Sequence, residues 1–151
     1  MTPAVEAARK AGITFTLHEY EVIEHGVRDH AAAVARKVGV DPARLFKTLV
    51  ASIDDDLRVF VVPSDRDLDL RAVGKRAKLA DPSRAEKATG YVVGGISPLG
   101  QRRLLPTVID DSALGFATIL VSAGKRGLQI ELDPRDLVRL LGADTRPIAA
   151  P

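Results

Sequence analysis

The apolar positions of this chain fall into two periods. Alternation, or short apolar runs between turn residues, marks strands over Thr14 to Glu21, Leu45 to Ile53, Leu57 to Val62, Thr107 to Asp110, Phe116 to Ser122 and Leu128 to Leu132. Helical spacing between capping residues marks Pro3 to Lys10 behind Thr2, closed by Gly12, and His30 to Val38 behind Asp29, closed by Gly39. Three Asp-Pro pairs, at Asp41, Asp81 and Asp133, read as helix starts, with proline at the first helical position where its missing N–H costs nothing. The first of these helices is short, the second reaches toward Gly90, and the third ends before Gly142. An amphipathic segment from Leu70 to about Ala77 reads as a further helix, weakened by Gly74. The strands on either side of Asp54 to Asp56 read as a hairpin with a solvated turn.

Strands and helices are interspersed without regular alternation, which predicts an α+β domain around a mixed or antiparallel sheet. At 151 residues, with no repeat or linker, the chain reads as one domain, residues 1–151, with Arg146 to Pro151 as a flexible tail. A composition of 46% hydrophobic and 28% charged residues is that of a folded protein, not a disordered one. The longest uncharged stretch, Ser112 to Gly124, is shorter than the roughly 20 residues of a membrane-spanning helix. Charges at Glu6, Arg9 and Lys10 interrupt any secretory signal, so no membrane association and a cytoplasmic location are expected.

The absence of cysteine changes the picture more than the charge does, because it excludes disulfides, thiolate metal sites and every protein thiol nucleophile. Any thiol chemistry must come from a ligand. The formal charge is only +2, yet Arg71 to Arg103 carries eight basic and two acidic residues, a local surplus of six. His18, His25 and His30 lack metal-ligand spacing, so no metal or cofactor is expected, and no serine sits in a Gly-x-Ser-x-Gly elbow. Phe15, Phe46, Phe60 and Phe116 fall in strand patterns, leaving Tyr20 and Tyr91 as the credible stacking residues.

Lys47 shares a strand face with Leu45, Leu49, Ala51 and Ile53. It reads either as a strand-end lysine reaching water or as a cation at a pocket mouth that holds a phosphate or ester oxygen. Val92 to Gly100 puts Gly94, Gly95 and Pro98 in a loop that could cradle an anion or a carbonyl, or could simply turn. It is neither a Walker loop nor a Rossmann loop. Ser122 to Gly127, with Lys125 and Arg126 between glycines, reads as a hairpin turn with solvated charges.

Several stretches in order carry a resemblance: the Met-Thr-Pro-Ala-Val start, Phe46-Lys47-Thr48-Leu49, Leu68-Asp69-Leu70, Thr89 through Gln101 with Gly-Gly-Ile-Ser-Pro-Leu-Gly-Gln, Leu105-Pro106-Thr107, and Gly124-Lys125-Arg126-Gly127-Leu128. From end to end the chain resembles the YbaK family of free-standing Cys-tRNA(Pro) deacylases, related to the editing insertion of bacterial prolyl-tRNA synthetase. The resemblance implies a curved, barrel-like mixed sheet with surrounding helices. It also implies a trans-editing enzyme that removes cysteine from mischarged tRNA(Pro) by attack of the substrate's own thiol on its ester, with prolyl-tRNA synthetase as a partner.

By residue match, Lys47 is the family lysine holding the terminal adenosine and its phosphate, and Gly94 and Gly95 belong to the catalytic loop beside the ester. Tyr20, Thr48, Ile96, Ser97, Pro98, Ser122 and Gly124 match substrate-binding positions, while Gln129 stands where the family leads one to expect an acidic residue. Two other readings stay open: a deacylase that uses water on Ala-tRNA or another aminoacyl-tRNA, and a noncatalytic module that binds tRNA or the synthetase.

Overall fold

The computed structural model describes residues 1–22 and 30–151, so Asp29 and His25 lie outside the described residues. The elements run α1 (Pro3–Ala11), β1 (Phe15–Glu19), α2 (His30–Val38), β2 (Phe46–Ile53), β3 (Asp56–Pro63), α3 (Leu70–Val73) and β4 (Lys78–Leu79). They continue with α4 (Pro82–Thr89), β5 (Thr107–Asp110), β6 (Ile119–Lys125), β7 (Leu128–Leu132), α5 (Pro134–Leu141) and β8 (Asp144–Arg146). Capping chemistry sets most boundaries. Thr2 Oγ1 accepts from the Val5 N–H at 3.2 Å to start α1, and Asp133 accepts from Arg135 N–H at 2.9 Å to start α5. At α4 the Asp81 carboxylate accepts from the Ser83 hydroxyl instead of a backbone amide.

The fold is α+β, and its strands form two sheets. One is antiparallel in the order β1-β7-β6; the other is mixed, in the order β4-β2-β3-β5-β8, with β5 parallel to both β3 and β8. The expected barrel is not closed. The sheets meet where Leu45 bridges Leu120 in parallel and the Leu120 N–H donates to the Arg44 carbonyl at 3.1 Å. Strand β3 has both faces covered, which is why it reads as a continuous apolar run. Val59 and Val61 face a core shared with α1, α4 and α5, whereas Phe60 and Val62 face a second core with α3 and Ile148. A third cluster, Val34, Ala35, Leu45 and Leu120, seats α2 over the seam.

Five expectations need correction. Asp41-Pro42 starts only one turn, closed by Arg44 N–H on Asp41 O at 2.9 Å, because Leu45 is already engaged at the seam. The helix predicted to Ala77 stops at Val73: Gly74 is extended, and the following residues pair as β4 with β2, Ser52 opposite Lys78 and Ala51 opposite Leu79. The strand predicted from Phe116 begins at Ile119, because a 3₁₀ turn over Asp111–Gly115 uses Phe116 as its cap. The hairpin turn is Asp54-Asp55 alone, both at positive φ (48° and 72°), the geometry that suits a two-residue connection between twisted strands.

The fifth concerns Arg146 to Pro151, which does not fray. Ile148 is buried, Ala149 bridges Leu68, and the Ala150 N–H donates to the Asp67 carbonyl at 2.7 Å. Asp110 anchors the segment by accepting from the Ile148 and Ala149 N–H groups at 2.9 and 3.0 Å.

Burial pushes the Asp110 carboxyl upward, but the Ser112 hydroxyl and the amides of Ile148, Ala149 and Ser112 together hold it below the ordinary aspartate value. A carboxylate depressed in the folded state stabilises the fold above its unfolded pKa of about 4, and that contribution disappears as pH falls below it. Asp110→Ala is expected to lower the unfolding free energy by about 2–3 kcal/mol near neutral pH, since it strands the buried Ile148 amide and the half-buried Ala149 amide. Urea unfolding from pH 7 to pH 3 checks both statements: the gap between wild type and variant should narrow on acidification.

Candidate active site

Above the seam lies a cavity of about 510 Å³, walled by the start of β2, the residues of α2 that face the sheet, the approach to α4, and the loop at Val93 and Gly94. Its floor comes from the three-stranded sheet. His18 of β1, Gln129 of β7 and Ser122 of β6 are in register and so share a face, and Ser122 and Gln129 line the cavity.

Lys47 stands at the mouth. Its side chain is 24% exposed and its Nζ lies 3.6 Å from Asp67 Oδ1, on a side chain that is 94% exposed. Such a pair is weak, because water solvates the carboxylate and screens the contact. An incoming phosphate or carboxylate can take the place of Asp67. Deeper in, Thr48 Oγ1 and Gln129 Oε1 are buried without a hydrogen-bond partner among the described residues. Buried polar atoms left unpaired cost free energy, so their presence in a hollow identifies positions that a ligand can satisfy. Thr48 can donate or accept, while the Gln129 oxygen accepts only.

Six of the candidates from the sequence line this cavity: Tyr20, Lys47, Thr48, Gly94, Ile96 and Ser122. The structure sets the other four behind it. A Cβ on Gly95 would come within 2.9 Å of the Lys125 backbone, and its N–H is taken by the Val92 carbonyl at 2.9 Å. Ser97 is fully buried, its hydroxyl accepting from the Leu99 N–H at 3.2 Å, and Pro98 lines a separate hollow of about 210 Å³ beside Leu140 and Leu141. Gly124, at φ 99°, gives room to the Tyr91 ring, which a Cβ would meet at 2.8 Å; its N–H donates to Ser122 Oγ at 3.2 Å and so helps orient that side chain.

Tyr91 is not available for stacking. It is 5% exposed, its hydroxyl donates to the Leu99 carbonyl at 2.6 Å, and burial pushes its phenol up to about 12. Arg126 is not a solvated turn charge either, for its guanidinium donates to the Val93 carbonyl. Asp67, Glu86, Leu79 and Ala80 carry no local sign of a site in the sequence, and Pro82 is marked there only as a helix start.

One register step from Gln129 along the same face, Glu131 organises the seam. Its carboxylate accepts from Thr118 Oγ1 at 2.6 Å, meets His18 Nε2 at 2.7 Å and pairs with Arg44, which also donates to the Thr118 carbonyl at 2.9 Å. The Thr118 hydroxyl, against the opposing effect of burial and aided by His18 and Arg44, holds this carboxyl below the ordinary glutamate value.

The family model of the aminoacyl-tRNA editing domain matches residues 25–140. The sequence is 38% identical over 120 residues, 74% of this chain and 73% of the relative, to an Enterococcus faecalis protein named "Putative Cys-tRNA(Pro)/Cys-tRNA(Cys) deacylase EbsC". It is 30% identical over 132 residues to the proline–tRNA ligase of Acidithiobacillus ferrooxidans, which covers 83% of this chain but only 23% of the ligase. In shape it matches the crystal structure of a "putative trans-editing enzyme for prolyl tRNA synthetase" with a TM-score of 0.83 over 100% of this chain and 99% of that one, at 24% identity, a likeness of fold.

Glu131→Ala is expected to lower the unfolding free energy by about 2 kcal/mol, because it removes the carboxylate that pairs with Arg44 and accepts from the Thr118 hydroxyl at the joint between the sheets. Denaturant unfolding with fluorescence or circular dichroism measures it; a change within about 0.5 kcal/mol would mean that apolar contacts alone hold the seam.

Proposed function

Because the chain belongs to the aminoacyl-tRNA editing domain family, we propose that it is a trans-editing deacylase that removes cysteine from mischarged Cys-tRNA(Pro). The observation that carries this reading is the cavity itself, with Lys47 on an exchangeable ion pair at its mouth and two unpaired polar atoms, on Thr48 and Gln129, at its base. Lys47 receives the phosphate and ribose end of the tRNA. The aminoacyl group enters the hollow, where the Gln129 oxygen accepts from its ammonium and Thr48 meets a polar atom of the ester.

The chain has no cysteine, so the thiol is the substrate's. That thiol attacks the ester carbonyl of its own residue: a C–S bond forms, the C–O bond to the ribose breaks, and the thiol proton passes to the departing ribose oxygen. Cyclic thiolactone and free tRNA are the products. The protein contributes position and a donor for the oxyanion, terms that together account for large rate effects without a protein nucleophile. A thiol supplies far more reactive anion near neutral pH than a hydroxyl does, so cysteinyl and seryl esters of similar size are separated by chemistry.

No helix among the described residues is long and apolar enough to cross a membrane. The nucleic acid approaches past Lys75, Arg76 and Lys78, all exposed and leading directly into Leu79 and Ala80 of the cavity wall. With Tyr91 buried, Tyr20 is the one stacking residue left of the two, so charge holds most of the RNA, and prolyl-tRNA synthetase supplies the choice of tRNA. Editing of this kind belongs in the cytoplasm, where aminoacyl-tRNA is made and used.

Lys47→Ala should leave the fold intact and slow deacylation of Cys-tRNA(Pro) by at least about 10-fold, roughly 1.4 kcal/mol in the barrier. A folded variant at the wild-type rate would remove Lys47 from the site. S-methylation of the cysteinyl group should stop turnover while preserving binding; cleavage at the unmodified rate would replace thiol attack with water. Affinity for tRNA should fall steeply between about 50 and 200 mM salt as phosphate counterions are released. Salt-insensitive binding would contradict a charge-held complex.

A further inference from the structure

The loop that lines the cavity at Val93 and Gly94 is gripped from behind at a single residue. The Val93 N–H donates to Glu86 Oε2 at 2.8 Å, and the Val93 carbonyl accepts from Arg126 Nε at 3.1 Å and Nη2 at 2.7 Å. Glu86 belongs to α4 and Arg126 to the turn between β6 and β7, so two separate elements fix the two peptide groups on either side of the Val93 Cα. The Gly95 backbone lies directly against Lys125 and Arg126, which leaves the loop no room to slide toward the turn.

The second of these groups, Val93–Gly94, is the one that matters. No cis bond is present among the described residues, and in a planar trans peptide the carbonyl and the following N–H point in opposite directions. Holding the Val93 carbonyl on Arg126 therefore turns the Gly94 N–H away from the guanidinium. Gly94 lines the cavity, and its N–H donates to no described protein group. A guanidinium on the carbonyl also polarises the same peptide and strengthens its N–H as a donor. Arg126 is half-buried and spends two donors on this one oxygen, an arrangement unsuited to a mobile phosphate contact.

We propose that Arg126 and Glu86 are positioning residues that set the Val93–Gly94 peptide so that the Gly94 N–H meets the oxyanion formed on the ester carbonyl. This rests on the deacylase reading of the cavity. Removing one such donor outright typically costs about 100- to 1,000-fold in kcat. Releasing the peptide leaves the donor present but misaimed, so a smaller loss is expected, at least about 10-fold.

The test is steady-state deacylation of Cys-tRNA(Pro) by the full chain carrying Arg126→Ala, Arg126→Lys, Glu86→Ala or Glu86→Gln, with the folded fraction of each measured at the assay temperature. Arg126→Ala should lower kcat at least about 10-fold with KM within about twofold. Added methylguanidinium should restore part of the loss, and Arg126→Lys should fall between. Glu86→Gln should recover most of what Glu86→Ala loses, because the amide oxygen still accepts from the Val93 N–H. Wild-type kcat in folded Arg126→Ala, or a raised KM at constant kcat, would overturn the proposal while leaving the deacylase reading standing. A loss that follows the unfolded fraction and is recovered by neither methylguanidinium nor the lysine variant would also overturn it. A wild-type protein without turnover on any aminoacyl-tRNA would overturn both together.

Discussion

Two sheets whose backbones meet where Arg44 and Leu45 reach Leu120 need something to keep that contact in register, and the Glu131 carboxylate supplies it. It gathers Arg44 from the chain entering β2, Thr118 from the approach to β6 and His18 from β1, so every strand that shapes the cavity floor or mouth is tied to one group. Its position follows from strand periodicity. Gln129 and Glu131 project from the same face of β7, one into the cavity and the other into the seam. Arg44 pairs with the Glu131 carboxylate, so that charge is answered within the seam. Among the described residues the cavity thus carries one ion pair at its mouth, Lys47 with Asp67, above the neutral side chains of Ser122 and Gln129.

Local chemistry made much of the fold legible. The caps at Thr2 and Asp133 work through atoms within three residues of themselves, so the sequence reveals them, and β2 and β3 announce themselves by apolar runs around a two-aspartate turn. What was not legible depends on distant partners. Lys78 and Leu79 have no strand pattern; they pair because β2 offers an edge. Arg146 to Pro151 has the composition of a tail, yet a buried carboxylate almost forty residues earlier collects its amides.

The same division runs through the site. Lys47 stood out because a cation on an apolar strand face is locally anomalous, and the cavity explains the anomaly. The glycine loop stood out too, but its residues separate by role only in three dimensions. Gly94 faces the hollow, whereas Gly95 is small because the Lys125 backbone leaves no space for a side chain. Tyr91 misled for the opposite reason: a tyrosine beside a glycine loop has the sequence appearance of a stacking platform, while the Leu99 carbonyl and the space at Gly124 make it part of the core. Arg126 had the appearance of a turn charge because its acceptor lies on another loop.

The mouth of the cavity depends on the segment that seemed most dispensable. Asp110 fixes Ile148 and Ala149, Ala149 bridges Leu68, and the Ala150 N–H holds the carbonyl of Asp67, whose side chain answers Lys47. Each link is an ordinary hydrogen bond or a weak ion pair, but the sequence of links determines where the exchangeable carboxylate sits. A free lysine would bind any anion in solution, and a deeply buried ion pair would resist exchange because breaking it leaves an uncompensated charge. A surface carboxylate at 3.6 Å holds the lysine at the cavity mouth at little cost to its release. An anion gains by displacing it chiefly when the rest of its molecule also fills the hollow and meets Thr48 and Gln129. In the deacylase reading proposed above, selectivity would come from requiring both contacts at once, not from the strength of either.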